Sequence, residues 1–285
     1  MTKKGRLIIP ILIGTVLSLS LGLTIWTGFF FVFIPIGLSI SLGNFINDFR
    51  PGLGRKISLT IIAFVFLVFL GVYQHENLQI EETVIYIAYF INSGIFTRVL
   101  IHYAIAKVLG PLIFGRGFCG WACYTAALFE WLPINENKQI PKKFTYLRFP
   151  FLLISLLGPF FLVATGYDYM TRHINQPKTD QFIWFLAGNI LYYLAGVTLA
   201  LIFRKKRAFC KILCPVSLVM KLPARISLVK LRPSGIKCIG CEKCNKACPM
   251  DVDVKSYIIN GKRVLSSECI LCLECRKVCP VKAIK

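Results

Sequence analysis

Long apolar runs alternate with short polar breaks along most of this chain, and the length of the runs sets the first expectation. A bilayer core takes about 20 mostly apolar residues per helix, and six stretches meet or approach that length: 7–26, 29–46, 57–73, 83–109, 146–167 and 182–203. Only Thr27 and Gly28 separate the first two, which therefore read as a tight hairpin, and Pro10 and Pro35 would kink its arms. Residues 57–73 carry no charge, and 83–109 is long enough to span with tilt. After 214 the pattern changes. "PVSLVMKLPARISLVKLRPSGI" (215–236) alternates apolar with basic positions, as expected of a segment lying along anionic lipid. The pattern predicts a polytopic α-helical membrane protein of about six spans. Its parts would be an N-terminal hairpin and loop (1–56), a four-helix core (57–214), an interfacial linker (215–236) and a soluble C-terminal unit (237–285).

Composition agrees, because 56% of the 285 residues are hydrophobic and only 16% are charged. The apolar run after MTKKGR continues to about residue 46 without a small-residue cleavage site, unlike a signal peptide. Lys plus Arg outnumber Asp plus Glu by 34 to 13. Lys3, Lys4, Arg6, Arg50, Arg55, Lys56, Arg116, Lys138, Lys142, Lys143, Arg204, Lys205, Lys206 and Arg207 all fall on one side of the predicted spans. The positive-inside rule makes that side cytoplasmic and predicts a multi-pass protein of the bacterial cytoplasmic (inner) membrane with both termini inside. Basic residues spread over every inner loop do not form the basic face that nucleic acid requires, so no nucleic-acid partner is expected. The loop "QHENLQIEE" (74–82) has three Glu and no Lys or Arg, and is expected on the outer side. His75 and His173 would also lie outside, where a bis-His haem is conceivable, but the chain has no C-x-x-C-H. Phosphate-binding and dinucleotide fingerprints are missing as well.

The twelve cysteines carry the candidate chemistry. "CIGCEKCNKACP" (238–249) and "CILCLECRKVCP" (269–280) are both C-x2-C-x2-C-x3-C-P runs, in which the fourth cysteine ligates the other run's cluster. Three thiolates on one tight loop reach three corners of a cubane, and the fourth must come from elsewhere. The expected sets are Cys238, Cys241, Cys244 and Cys279 for one [4Fe-4S] cluster, and Cys269, Cys272, Cys275 and Cys248 for the other. Structural zinc usually pairs two C-x2-C knuckles and has no use for a third cysteine at that spacing. The unit over 237–285 resembles a two-cluster bacterial ferredoxin of α+β class, with Asn260-Gly261 as a hairpin signal.

Two further phrases, "RGFCGWAC" (116–123) and "RAFCKILC" (207–214), each follow a hydrophobic run. If helical, each would stack its two cysteines on one face. As an internal duplication they would bring Cys119, Cys123, Cys210 and Cys214 together as a third cluster, a metal site or a dithiol pair. Ordinary buried thiols are the bland alternative.

Membrane-edge C-x3-C phrases followed by two C-x2-C-x2-C-x3-C-P runs resemble the membrane-bound polyferredoxin family, which includes the NapH-type quinol dehydrogenase subunits and the C-terminal part of NosR-type proteins. The resemblance covers roughly 83–285 and all twelve cysteines. It implies quinol-linked electron transfer, with the quinol pool and another redox protein, ferredoxin-like or cytochrome-type, as partners. A redox-supply factor for another metalloenzyme and a membrane-tethered redox sensor are the competing readings. Tyr124 stands where the family usually has proline, whereas Pro215 follows Cys214. Within the fourth predicted span, Arg98 and His102 lie one helical turn apart and are candidates for a quinone headgroup or a proton path. Glu130 is expected to partner Arg116 or Arg98.

Overall fold

The structure, a computed structural model, describes residues 3–50, 52–94, 96–134, 137–167 and 179–285, so the expectation for His173 lies outside the described residues. Among them, five helices are long and apolar enough to cross a membrane: Lys4–Thr24, Phe29–Phe49, Leu53–Tyr73, Lys142–Ala164 and Asp180–Ile202.

α1 (Lys3–Thr24) and α2 (Phe29–Phe49) form the expected hairpin. Their backbones meet at glycine: a Cβ on Gly14 would lie 2.5 Å from the Phe33 carbonyl oxygen, and one on Gly37 2.5 Å from that of Pro10. Small residues permit this close approach where lipid offers no hydrophobic drive between helices. α3 (Leu53–Phe64) continues the span as π-helical turns over Val65–Tyr73.

The fourth predicted span is corrected. After Tyr73 the chain folds back on itself: the Gln74 N–H donates to Phe69 O (3.0 Å) and the Glu76 N–H to Leu70 O (2.8 Å). His75 makes the reversal with φ 55°. Glu76, Asn77, Leu78 and Gln79 are consequently buried, so the expected acidic outer loop is a segment re-entering the protein. α4 (Ile80–Ser93) starts at membrane depth, because Glu81 accepts hydrogen bonds from Ser155 (2.6 Å) and Tyr192 (2.7 Å), both midway along the last two spans. It climbs to the face opposite the basic loops, where the Tyr89 hydroxyl donates to Tyr167 O (3.0 Å) and Gly94 closes the helix at φ 69°.

The return path is α5 (Arg98–Ala104), a π-helical stretch over Ile105–Leu109, and α6 (Gly110–Phe114). Hydropathy merged a half-length helix and a returning helix into one run. The break appears only once the polar residues before it find buried partners.

Past α6 come α7 (Gly117–Trp121), α8 (Tyr124–Trp131), α9 (Lys142–Thr145), α10 (Arg148–Ala164) and α11 (Thr179–Ile202), then the short helices α12 (Ala208–Ile212), α13 (Val216–Val219) and α14 (Lys221–Ala224). The linker after Cys214 therefore begins helically and exposes Leu222 and Ile226.

The C-terminal unit has single-turn helices α15 (Lys243–Lys246) and α17 (Glu274–Lys277) and a slightly longer α16 (Val254–Ile259). Its β content is less than expected: among the described residues an isolated antiparallel bridge joins Pro233 and Ile284. Beside it, Arg232 and Lys285 exchange both backbone hydrogen bonds at 2.9 Å. Asn260-Gly261 does not turn a hairpin. Gly261, at φ 67°, ends α16, the same left-handed chemistry put to use as a helix stop.

Candidate metal centres

Two cavities in the C-terminal unit gather the cysteines of the paired runs. One is lined by Cys238, Cys241, Cys244 and Cys279, with Ile239 and Val281. The other is lined by Cys248, Cys269, Cys272 and Cys275, with Met250 and Ile270. Each cavity thus takes three thiols from one run and the fourth from the other. Backbone donors point at the crossing thiols: the Val252 N–H reaches the Cys248 sulfur at 3.3 Å, and the Ala283 N–H reaches the Cys279 sulfur at 3.3 Å.

Left-handed backbone at Glu242 and Leu273 starts the turns carrying Cys244 and Cys275, and so wraps each run around its cavity. Burial pushes the Cys269 thiol up to about 12. A thiol so placed needs a metal cation in the cavity to become a thiolate ligand. Four sulfur donors with N–H groups aimed at them suit an iron–sulfur cluster. The two environments differ. Cys241 is exposed, whereas Cys248, Cys272 and Cys275 are buried.

The membrane-edge phrases also converge, though not on continuous helices. α7 ends at Trp121 and α12 at Ile212, so Cys123 and Cys214 stand just past short helices, not one turn along them. All four thiols nevertheless gather: Cys214 lies within electrostatic reach of Cys119, Cys123 and Cys210. The Cys119 sulfur sits 3.6 Å from that of Met220.

Buried cations surround the group. Arg116 and Arg207 are fully or almost fully buried, and both are within electrostatic reach of these thiols. Lys107, also buried, lies beside Cys119, Cys123 and Cys214, with its ammonium 3.7 Å from the Phe118 ring centroid. Three cations beside four thiols suit a negatively charged cluster with thiolate ligands. All twelve cysteines are unbridged. Among the described residues no three His, Cys, Asp or Glu side chains converge closely enough to share one metal ion. A cubane does not require that, because each thiolate meets a different iron.

The two kinds of site abut. Gly120 packs so closely on the second cavity's loop that a Cβ there would lie 2.1 Å from Ile270 O. Trp121 Nε1 donates to Leu271 O at 3.0 Å. Glu268, immediately before Cys269, receives Arg116 (2.5 Å), Arg148 (2.7 Å) and Lys221 (2.6 Å). Burial alone would raise its carboxyl, but these cations outweigh burial and hold it at about 2. Asp251, beyond Cys248, receives Lys205 (2.6 Å) and Lys211 (2.5 Å). Asn137 donates to Cys248 O at 3.0 Å.

Glu130 has other partners than expected. Arg55 grips it at 2.8 and 2.9 Å, and Arg207 at 2.7 Å. This buried trio ties α3, α8 and the second phrase together.

Arg98 and His102 are found far from the cysteines. The Arg98 guanidinium pairs with Glu76, donates to Gln74 at 3.0 Å and covers Trp26 at 4.0 Å. His102 is enclosed by Phe29, Phe33 and Trp26, with ring centroids 4.6, 6.0 and 6.2 Å away. From Arg98 to the end of α6 the helical rise amounts to roughly 24 Å. Sequence reading passed over Tyr103 and Tyr192, which lie within electrostatic reach of both Cys214 and Glu81, and took Glu81 for part of a solvated loop. The available signal was three glutamates within seven residues directly before an apolar run.

Known proteins match the same regions. A family model described as a 4Fe-4S dicluster domain matches residues 230–280. A second, described as a 4Fe-4S binding domain, matches 100–134 and 187–234, the two segments that hold the C-x3-C phrases. An uncharacterized protein of Methanocaldococcus jannaschii is 29% identical over 72% of this chain and 76% of its own. The putative electron transport protein YccM of Escherichia coli is 28% identical over 54% of this chain and 47% of its own. The regulatory protein NosR of Pseudomonas aeruginosa is 24% identical over 70% of this chain and 30% of its own. No solved structure matches the chain.

Proposed function

We propose that this chain is a membrane-bound 4Fe-4S polyferredoxin, a reading that the two matched 4Fe-4S domains and the similarity to YccM and NosR support, and that it carries electrons from the quinol pool to a partner redox protein on the face of its ferredoxin unit. In this reading, electrons enter at a third [4Fe-4S] cluster held by Cys119, Cys123, Cys210 and Cys214. They pass to the cluster of Cys248, Cys269, Cys272 and Cys275 and leave from that of Cys238, Cys241, Cys244 and Cys279. Clusters bound at these sites supply one-electron steps, which divide the two-electron quinol couple.

The observation that carries this reading is the seam between the phrase at 116–123 and the ligand loop at 269–275. Gly120 lies against Ile270 O, Trp121 is bonded to Leu271 O, and buried cations bind Glu268 beside Cys269. That seam joins the membrane-edge site to the inner cavity, and the exposure of Cys241 supports an exit from the other cavity. The basic inner loops support a cytoplasmic position for the ferredoxin face. The exposed Leu222 and Ile226 support contact of the linker with lipid.

Iron and sulfide analysis tests the cluster count: about twelve irons in the native protein and about eight in a variant with all four membrane-edge cysteines replaced by serine. About eight in both would refute the third cluster. Reduction of the clusters by a soluble hydroquinone, followed by EPR, tests the electron source. A sensor reading draws support from the relative named as a regulatory protein. It would prevail if hydroquinone reduced the clusters without onward transfer to any soluble carrier.

A further inference from the structure

Glu81 is out of place in a bilayer. Its carboxyl lies at mid-membrane, where Ser155 and Tyr192 both donate to Oε1, at 2.6 and 2.7 Å, while Oε2 is buried without a partner. The residue as a whole is partly exposed, beside the two apolar spans that carry Ser155 and Tyr192. A carboxyl at this depth is costly and marks a functional site.

The neighbours connect Glu81 to the membrane-edge thiols. The Tyr192 ring lies 5.3 Å from Phe209, the residue before Cys210. Tyr103 packs in the same buried cluster as Cys119 and Cys210. Its hydroxyl is buried without a partner, within electrostatic reach of Cys214 and Glu81. The Glu81 Oε2 and the Tyr103 hydroxyl are thus a buried acceptor and a buried hydroxyl, both left unsatisfied on the side of the protein that holds the thiols.

We infer that Glu81, with Tyr103 and Tyr192, is the proton-accepting end of a lipid-facing hydroquinone site beside the four membrane-edge cysteines. This rests on the proposed quinol reading and places its chemistry at Glu81 instead of at Arg98 and His102. Tyr103 hydrogen-bonds the ring oxygen, and one hydroxyl of the hydroquinone donates to Oε2. The O–H bond breaks, its proton goes to the Glu81 carboxylate, and the one electron released would be taken up by the oxidised iron–sulfur cluster that the four cysteines would hold. Glu81 gives that proton up to bulk water, and the cluster would pass its electron to the one held by Cys248, Cys269, Cys272 and Cys275, before the second hydroxyl repeats the step. Two protons and two electrons leave, and the quinone departs into the lipid.

The test uses the full chain in lipid nanodiscs, with menadiol as donor and cluster reduction followed by absorbance and EPR. Glu81→Gln and Tyr103→Phe keep the side-chain shapes. We expect Glu81→Gln to slow menadiol-driven reduction at least tenfold and to flatten its pH profile, and Tyr103→Phe to raise the half-saturating menadiol concentration several-fold. Dithionite should reduce the clusters of both variants to native EPR spectra. A native rate in Glu81→Gln, or a tenfold loss in His102→Asn with none in Glu81→Gln, overturns the inference while the quinol reading stands. If native protein accepts electrons from dithionite but none from menadiol, the quinol reading fails and the inference with it.

Discussion

The phrases RGFCGWAC and RAFCKILC share a backbone and differ in what they grip. Arg116 and Arg207 hold nearly the same conformation, φ −85° and ψ 28° against φ −103° and ψ 22°, and each starts a five-residue helix. Both guanidinia are buried beside thiols. Beyond that the copies diverge. Arg116 reaches into the ferredoxin unit at Glu268, whereas Arg207 reaches back to Glu130 and to Cys119 O at 2.9 Å. The residues after the first cysteine diverge as well. Gly120 admits the ligand loop against bare backbone, while Lys211 contacts the same unit through its ammonium on Asp251. The shared part holds the thiols, and the divergent part docks the unit.

Substitutions can break this comparison at its strongest point first. Glu268→Ala would remove the carboxylate that Arg116, Arg148 and Lys221 share, at a cost of about 3–5 kcal/mol. Limited proteolysis should then release the C-terminal unit far sooner than in native protein. The same contact predicts a pH effect. A carboxyl held at about 2, below its usual 4.5, stabilises the native state fully above pH 4.5 and loses that contribution as pH falls toward 2. Compared at the same cluster content, Glu268→Gln should lack this step in proteolysis against pH. A step of equal size in the variant would assign it elsewhere.

Gly120→Val comes next. Its Cβ cannot coexist with Ile270 O at 2.1 Å, so α7 and the ligand loop must part. Transfer from the membrane-edge site to the ferredoxin clusters should slow about tenfold or more, while the corresponding Lys211→Val should leave iron content native. Equal rates in Gly120→Val and native protein would remove the seam from the electron path.

Tyr124→Pro sharpens the comparison by restoring the second copy's Pro215 in the first. Cys123 is already extended at ψ 112°, and Tyr124 opens α8, positions where proline fits. The variant should keep native iron content and lose about 3–5 kcal/mol from the vacated ring, which stacks on Phe66 at 5.7 Å. Iron loss would instead make Tyr124 part of the site's scaffold. Lys211→Ala should have the smallest effect, about 1 kcal/mol in thermal unfolding, because Lys205 still holds Asp251.

Much of this protein follows from local pattern. Five of the six expected spans stand as long apolar helices, because a run of about twenty apolar residues has few other ways to satisfy its backbone in lipid. The crossed cysteine sets follow equally from spacing, since a short loop brings only three thiols to one cavity. Residues 74–82 were not legible. Glu76, Asn77, Gln79, Glu81 and Glu82 read as a solvated loop, and hydropathy has no means of telling a solvated carboxylate from one satisfied by Ser155 and Tyr192, distant in sequence. The partners of Glu130, the helix stop at Gly261 and the contact at Gly120 were hidden for the same reason. Each depends on which distant groups meet, so tertiary packing decided them, while periodicity and ligand spacing determined the spans and the cluster loops.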